Sequence, residues 1–166
     1  MKKIIPSIVI IMITCLLGTL LIVNGAAKEE SYALAKPFRF PNIRLKINDE
    51  YVNFELYDNE CADEFYKRVK ENDSLTITLT EYGGFEEYGD LGFELPTNDI
   101  TVTTLVGELA IYQSNKICLF YGSNTSSYTK IGKVVDVTEE KLKELLEGDT
   151  TLTFDVEPMY HILKEG

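Results

Sequence analysis

Along the chain, apolar and polar positions change period several times, and each change marks an element. From Ile43 to Ile47 ("IRLKI") and again from Tyr51 to Leu56 ("YVNFEL") the two classes alternate, as they do on a strand with one buried face. Asn48 and Asp49 between them carry turn chemistry, so the pair reads as a hairpin. The period then lengthens. Ala62, Phe65, Tyr66 and Val69 recur at helical spacing, with Asp58 or Asn59 placed to cap the first turn. "LTITLTE" from Leu75 to Glu81 returns to alternation with β-branched residues and predicts a strand.

The following stretch, "YGGFEEYGDLGFELPTN", has no clean period and predicts a long irregular excursion. "ELAIYQ" and "KICLFYG" then flank Ser114-Asn115 as two strands around a two-residue turn. "TKIGKVVDV" predicts another strand, and Thr138 caps a helix whose Leu142, Leu145 and Leu146 form its buried face. Glu139 and Glu140 suit the positive end of that helix. "TTLTFDVE" from Thr150 to Glu157 closes the domain. Two short helices among about seven strands predict a mainly β protein, a closed barrel with the two helices capping its ends.

The N-terminus changes the picture of where this domain resides. Lys2 and Lys3 precede an apolar run from Ile4 to Val23, and small residues follow at Gly25, Ala26 and Ala27. That order is the export pattern, while the length of the run approaches the ~20 residues that span a bilayer. Residues 1–27 are therefore expected to be a signal peptide or an N-terminal membrane anchor. Both place the rest outside the cytoplasm, secreted or held on the outer face of the cytoplasmic membrane. Cys15 lacks the small preceding residue of a lipidation site and reads as one more apolar residue. Residues 28–42 mix charge, proline and aromatics as a linker, 43–157 form the domain, and 158–166 form a tail.

Charge excludes one class of partner. All 27 acidic residues lie beyond residue 27, whereas Lys2 and Lys3 precede it, so the domain is more acidic than the whole chain at −11. Nucleic acid would be repelled, and no basic stripe offsets that. Membrane contact is expected only through the N-terminal segment.

Candidate chemistry is sparse. The single histidine, His161, lies in the tail, and with no close cysteine pair no zinc site is expected. No cofactor is expected either. Cys61 and Cys118 have two readings, a disulfide in an oxidising compartment or two small buried residues. Glu81, Glu86, Glu87, Asp90 and Glu94 crowd the irregular excursion, where a solvated acidic loop is the expectation over paired catalytic carboxylates or a calcium site. Gly83, Gly84, Gly89 and Gly92 have none of the lysine or hydroxyl spacing of a phosphate loop.

Three segments carry a resemblance. "VNFELYDNECADEFYKRV", "VGELAIY" followed by "KICLFYG", and "KIGKVVDVTEEKLKELLEG" resemble successive parts of cyclophilins. Together with "LPTND" and "SYTKIGKV" they look like the small bacterial cyclophilin-like domains, from about Ile43 to Glu157. The resemblance implies a barrel with a groove that in cyclophilins holds proline. It places Tyr128 where cyclophilins have a pocket histidine, Ser123 near a pocket tryptophan, and Phe120 in place of a pocket phenylalanine. It also exposes a departure. The cyclophilin arginine belongs on the strand after the first helix, and "LTITLTEYGG" has none; Arg44 and Arg68 lie elsewhere. The expectation is a binding module for a peptide or small-molecule ligand, its groove lined by Phe120, Tyr121, Tyr128, Tyr82 and Phe85. The alternative is an extracytoplasmic prolyl isomerase, and a third reading is a passive domain displayed on an anchor.

Overall fold

The computed structural model describes Phe40 and residues 42–157. The leader, most of the linker, the tail, Cys15 and His161 lie outside the described residues. Ten strands and two helices form in the order β1 (Ile43–Ile47), β2 (Glu50–Val52), β3 (Phe54–Leu56), α1 (Glu60–Glu71), β4 (Ser74–Tyr82), β5 (Glu86–Asp90), β6 (Ile100–Thr103), β7 (Glu108–Tyr112), β8 (Lys116–Phe120), β9 (Thr125–Val134), α2 (Glu139–Leu145) and β10 (Thr150–Val156). The fold is mainly β, with antiparallel pairing in every ladder.

Local chemistry explains the first half. Asn48, at φ 52°, makes the tight link that pairs Ile47 with Glu50, a conformation asparagine tolerates better than most residues. Asn59 caps α1 by accepting from the Ala62 amide at 3.0 Å, and its own amide group donates to the Lys130 carbonyl. Thr138 does the same for α2 through the Lys141 amide. The β7–β8 turn differs by one residue from the expected Ser114-Asn115 pair. Gln113 and Ser114 both adopt positive φ, and Tyr112 pairs with Lys116.

The strands run β2-β1-β10-β4-β5-β8-β7-β9-β3, with β6 paired to the outer part of β9. No ladder joins β2 to β3 at the two ends of this order, yet only Asn53 separates them in the chain. One large core fills the inner side. Phe65 and Val69 of α1, Leu45 and Ile47 of β1, Leu152 and Phe154 of β10, and Leu142 of α2 meet there, fully buried. Phe65 packs edge-on against Phe154 at 4.9 Å and 87°.

Two expectations change. The excursion after Tyr82 is not irregular throughout. Gly83 and Gly84, both left-handed, turn the chain so that Tyr82 pairs with Glu86 and β5 runs between β4 and β8. Gly89 lets β5 lie close against β4, because a Cβ there would sit 2.5 Å from both Ile77 Cγ2 and the Thr78 carbonyl oxygen. The acidic residues of this stretch are also not all solvated. Glu86 is 5% exposed and Glu87 4%, because Glu86 lies beside Tyr128 on one face of β5 and Glu87 beside Tyr121 and Leu146 on the other. The cysteines take the second of their two readings, as free buried thiols. Cys61 faces the main core and Cys118 the opposite side of the sheet, so their sulfurs face apart.

Candidate functional site

Strands β7 and β8 are buried on both faces. Leu109, Ile111, Ile117 and Leu119 point into the main core, and the residues between them point outward. Outside, Ala110, Cys118 and Phe120 form a second cluster with Tyr128, flanked by Phe85, Tyr88 and Val102. Tyr128 reaches this cluster because β9 changes partners along its length. Thr129 still pairs with β7, while residues 125–128 pair with β6.

Above the cluster lies a cavity of about 340 Å³. Tyr82 and Tyr88 stand at one side with rings perpendicular, 6.1 Å apart. Tyr112 and Tyr128 stand at the other, 5.8 Å apart at 59°. Glu86 and Cys118 lie at the buried floor, and Lys116, Asn124 and Ser126 complete the rim.

The floor is chemically unusual. Tyr128 donates its hydroxyl to Glu86 Oε2 at 3.3 Å and accepts from the Asn124 amide at 2.9 Å. Burial raises the Glu86 pKa above the carboxylate range, the Tyr128 bond only partly opposing it. Burial and the neighbouring Glu86 push the Tyr128 phenol up to about 12. The Cys118 thiol is also driven upward, chiefly by burial, which makes it a poor nucleophile. Lys116 is tied to Asp90 at 3.2 Å.

Of the five residues expected to line the groove, Tyr82 and Tyr128 line this cavity, while Phe120 and Phe85 pack behind them. Phe120 is fully buried beneath Tyr128, their rings 5.3 Å apart, and supports the floor. Tyr82 is 58% exposed on the wall, and Phe85 packs against it at 6.0 Å. Tyr121 goes elsewhere. One step past Phe120 the side chain points to the opposite face, where it joins the main core and donates to Glu81 at 3.1 Å. Burial and that bond push its phenol up to about 12. Glu86, Tyr88, Tyr112, Cys118 and Asn124 were not anticipated from sequence. The alternation of β8, carried across to the paired β5, is the signal that locates Glu86 and Tyr88.

A second cavity, about 410 Å³, lies behind Tyr128 between the start of α1 and residues 96–102. Several of its polar groups are already engaged. Asn59 caps α1, Thr129 donates to Asp99 at 2.6 Å and accepts from the Asn98 amide, and Lys130 is held by Glu108.

Glu87 is the other buried acid of β5. Its pKa is raised by burial, with Glu81 adding to the effect and Thr150 opposing it, and its Oε2 has no hydrogen-bond partner among the described residues. An acid whose folded pKa is raised lends the fold most support below the ordinary glutamate value near ~4.3, and that support is lost as pH rises through the folded value. Glu86→Gln and Glu87→Gln are therefore expected to raise the denaturation midpoint at pH 7, and the gain over the parent to shrink toward pH 4. Thermal melts of parent and variants across that range measure it.

The fold and this outer-face site define a β protein with a groove on the face of its central strands opposite the main core. The chain belongs to the Cyclophilin-like family, whose sequence model matches residues 45–155. No curated protein matches the chain. Among solved structures, a hypothetical protein from Archaeoglobus fulgidus is similar at 20% identity and a TM-score of 0.49, covering 70% of this chain and 94% of that one.

Proposed function

We propose that this protein is an exported or membrane-tethered cyclophilin-like module that binds a peptide or small ligand in the outer groove and lacks efficient prolyl isomerase catalysis. The observation that carries the reading is the groove itself, walled by tyrosines above a second apolar cluster, in a chain of this family. The strands are read as a barrel closed through Asn53, whose carbonyl accepts from the Val135 amide at 2.9 Å while the chain crosses from β1 to β9. The leader pattern of Lys2, Lys3 and the apolar run to Val23 supports export.

Catalysis of prolyl isomerisation calls for a fixed cation beside the amide as its conjugation is lost. Arg44 is committed to Asp155 at 2.6 Å and Arg68 to Glu64 at 2.9 Å, and neither lines the groove. Lys116 at the rim is paired with Asp90. Binding is expected to appear as thermal stabilisation by a proline-containing peptide, about 2.7 kcal/mol at a hundredfold excess over Kd. The stabilisation should be lost in Tyr82→Ala, whose exposed side chain leaves the core intact. A protease-coupled assay on a proline tetrapeptide tests the isomerase alternative. Acceleration that disappears in Tyr128→Ala would establish it, and mass spectrometry of the mature N-terminus decides the fate of the leader.

A further inference from the structure

We propose that the groove is an aromatic cage for an alkylated ammonium group, the headgroup of a methylated amine or quaternary ammonium compound. The inference rests on the binding-module reading and names the ligand class of the same site.

The first ground is the arrangement of rings. Tyr82, Tyr88, Tyr112 and Tyr128 all line the cavity, and neither neighbouring pair is stacked face to face, Tyr82 and Tyr88 meeting at 88° and Tyr112 and Tyr128 at 59°. The negative faces of such rings attract a cation placed within ~6 Å of their centroids. A quaternary ammonium spreads its charge over methyl groups and asks for no hydrogen bonds, so aromatic walls suit it.

The second ground is charge at the floor. Glu86 is buried, and its one hydrogen bond among the described residues is the long one from Tyr128. A carboxylate has about four acceptor positions, so the described residues leave most of its capacity unfilled on a side chain that lines the groove. A neutral ligand such as a proline ring gains from the tyrosines and leaves the cost of burying Glu86 uncompensated. An organic cation gains from both.

The third ground is what the groove lacks. A primary ammonium is a strongly hydrated point charge and gives up more water on entering between aromatic walls than an alkylated one does. An anion would meet Glu86. The rim cation, Lys116, is turned to Asp90 and does not fill the site from within. The cavity, about 340 Å³, falls in the lower part of the ~300–1,000 Å³ range of small-molecule sites, suited to a headgroup with a short tail.

The test uses the full chain in a maltoside detergent, which carries no choline headgroup of its own. Choline and tetramethylammonium are titrated against 3,3-dimethylbutan-1-ol, the neutral carbon analogue of choline, with tyrosine ring resonances and calorimetry as readouts. Choline is expected to bind about tenfold tighter than the alcohol. Tyr82→Ala and Glu86→Gln should each weaken it about fivefold or more, and Tyr51→Ala, an exposed tyrosine on β2, should leave it unchanged. Equal binding of the alcohol overturns the cage and leaves a groove that works by apolar contact. Binding of a proline tetrapeptide without either ammonium probe also overturns the cage while the binding-module reading stands. If no ammonium, alcohol or peptide moves the groove tyrosines, both readings fail.

Discussion

Replacing Glu108 by alanine is expected to destabilise the domain by about 3–5 kcal/mol, measured as a drop in denaturant midpoint at constant slope. Glu108 is buried at the start of β7 and organises three groups. It pairs with the Lys130 ammonium at 2.6 Å, accepts the Tyr57 hydroxyl at 3.1 Å and accepts the Leu105 amide at 2.8 Å. Removing it leaves Lys130 with the Thr103 carbonyl and takes the acceptor from the half-buried Tyr57 hydroxyl. Breaking a buried pair costs more than making it gains, because the remaining charge stays desolvated. Glu108→Gln keeps acceptor capacity and should cost less. A Glu108→Leu and Lys130→Met double variant should recover much of the loss. A loss under about 1 kcal/mol for Glu108→Ala would place the pair among solvent-screened surface bridges.

Phe65→Ala is the second large effect, about 3–5 kcal/mol from lost burial and the cavity left behind. Phe65 is fully buried, its ring edge-on to Phe154, which in turn meets Phe54 at 5.5 Å. These three rings join α1 to β10 and to β3, so their loss loosens the helix from the sheet on which it rests. The measurement is again the denaturant midpoint, with Tyr82→Ala as the contrast. Tyr82 is mostly exposed, and its truncation is expected to stay within about 0.5 kcal/mol of the parent. A comparable loss in both variants would mean that the tyrosine wall is part of the structural core.

Much of the fold was legible where one face is wet and the other dry. β1, β4 and β10 alternate cleanly, and α1 and α2 announce themselves by spacing and caps at Asn59 and Thr138. β5 was not legible, because "EEYGD" carries acids at buried positions and so breaks the rule by which acids mark solvent. β6 was missed as well. It is a four-residue, mostly exposed strand paired to β9, short enough to pass unread although "ITVT" alternates β-branched residues. The candidate site was half legible. Phe120 and Tyr128 followed from the family resemblance, and Tyr82 and Phe85 from the aromatics of the glycine-rich excursion. The face of Tyr121 did not, since β7 and β8 are apolar on both sides and a one-residue step decides which side a ring faces. Glu86 was visible as a residue and invisible as a buried one until β5 was paired.

The place of β10 has a consequence for the life of the chain before it is folded. β10 lies between β1 and β4, and its neighbourhood joins residues as far apart as Arg44 and Glu157, 113 positions along the chain. The first strand therefore has only its hairpin partner β2 until the last one has been made. A nascent chain lacking β10 lacks the central plank between its two earliest pieces, and long-range pairing of this kind is slow to form. Such a chain stays incompletely folded until its C-terminal strand is available.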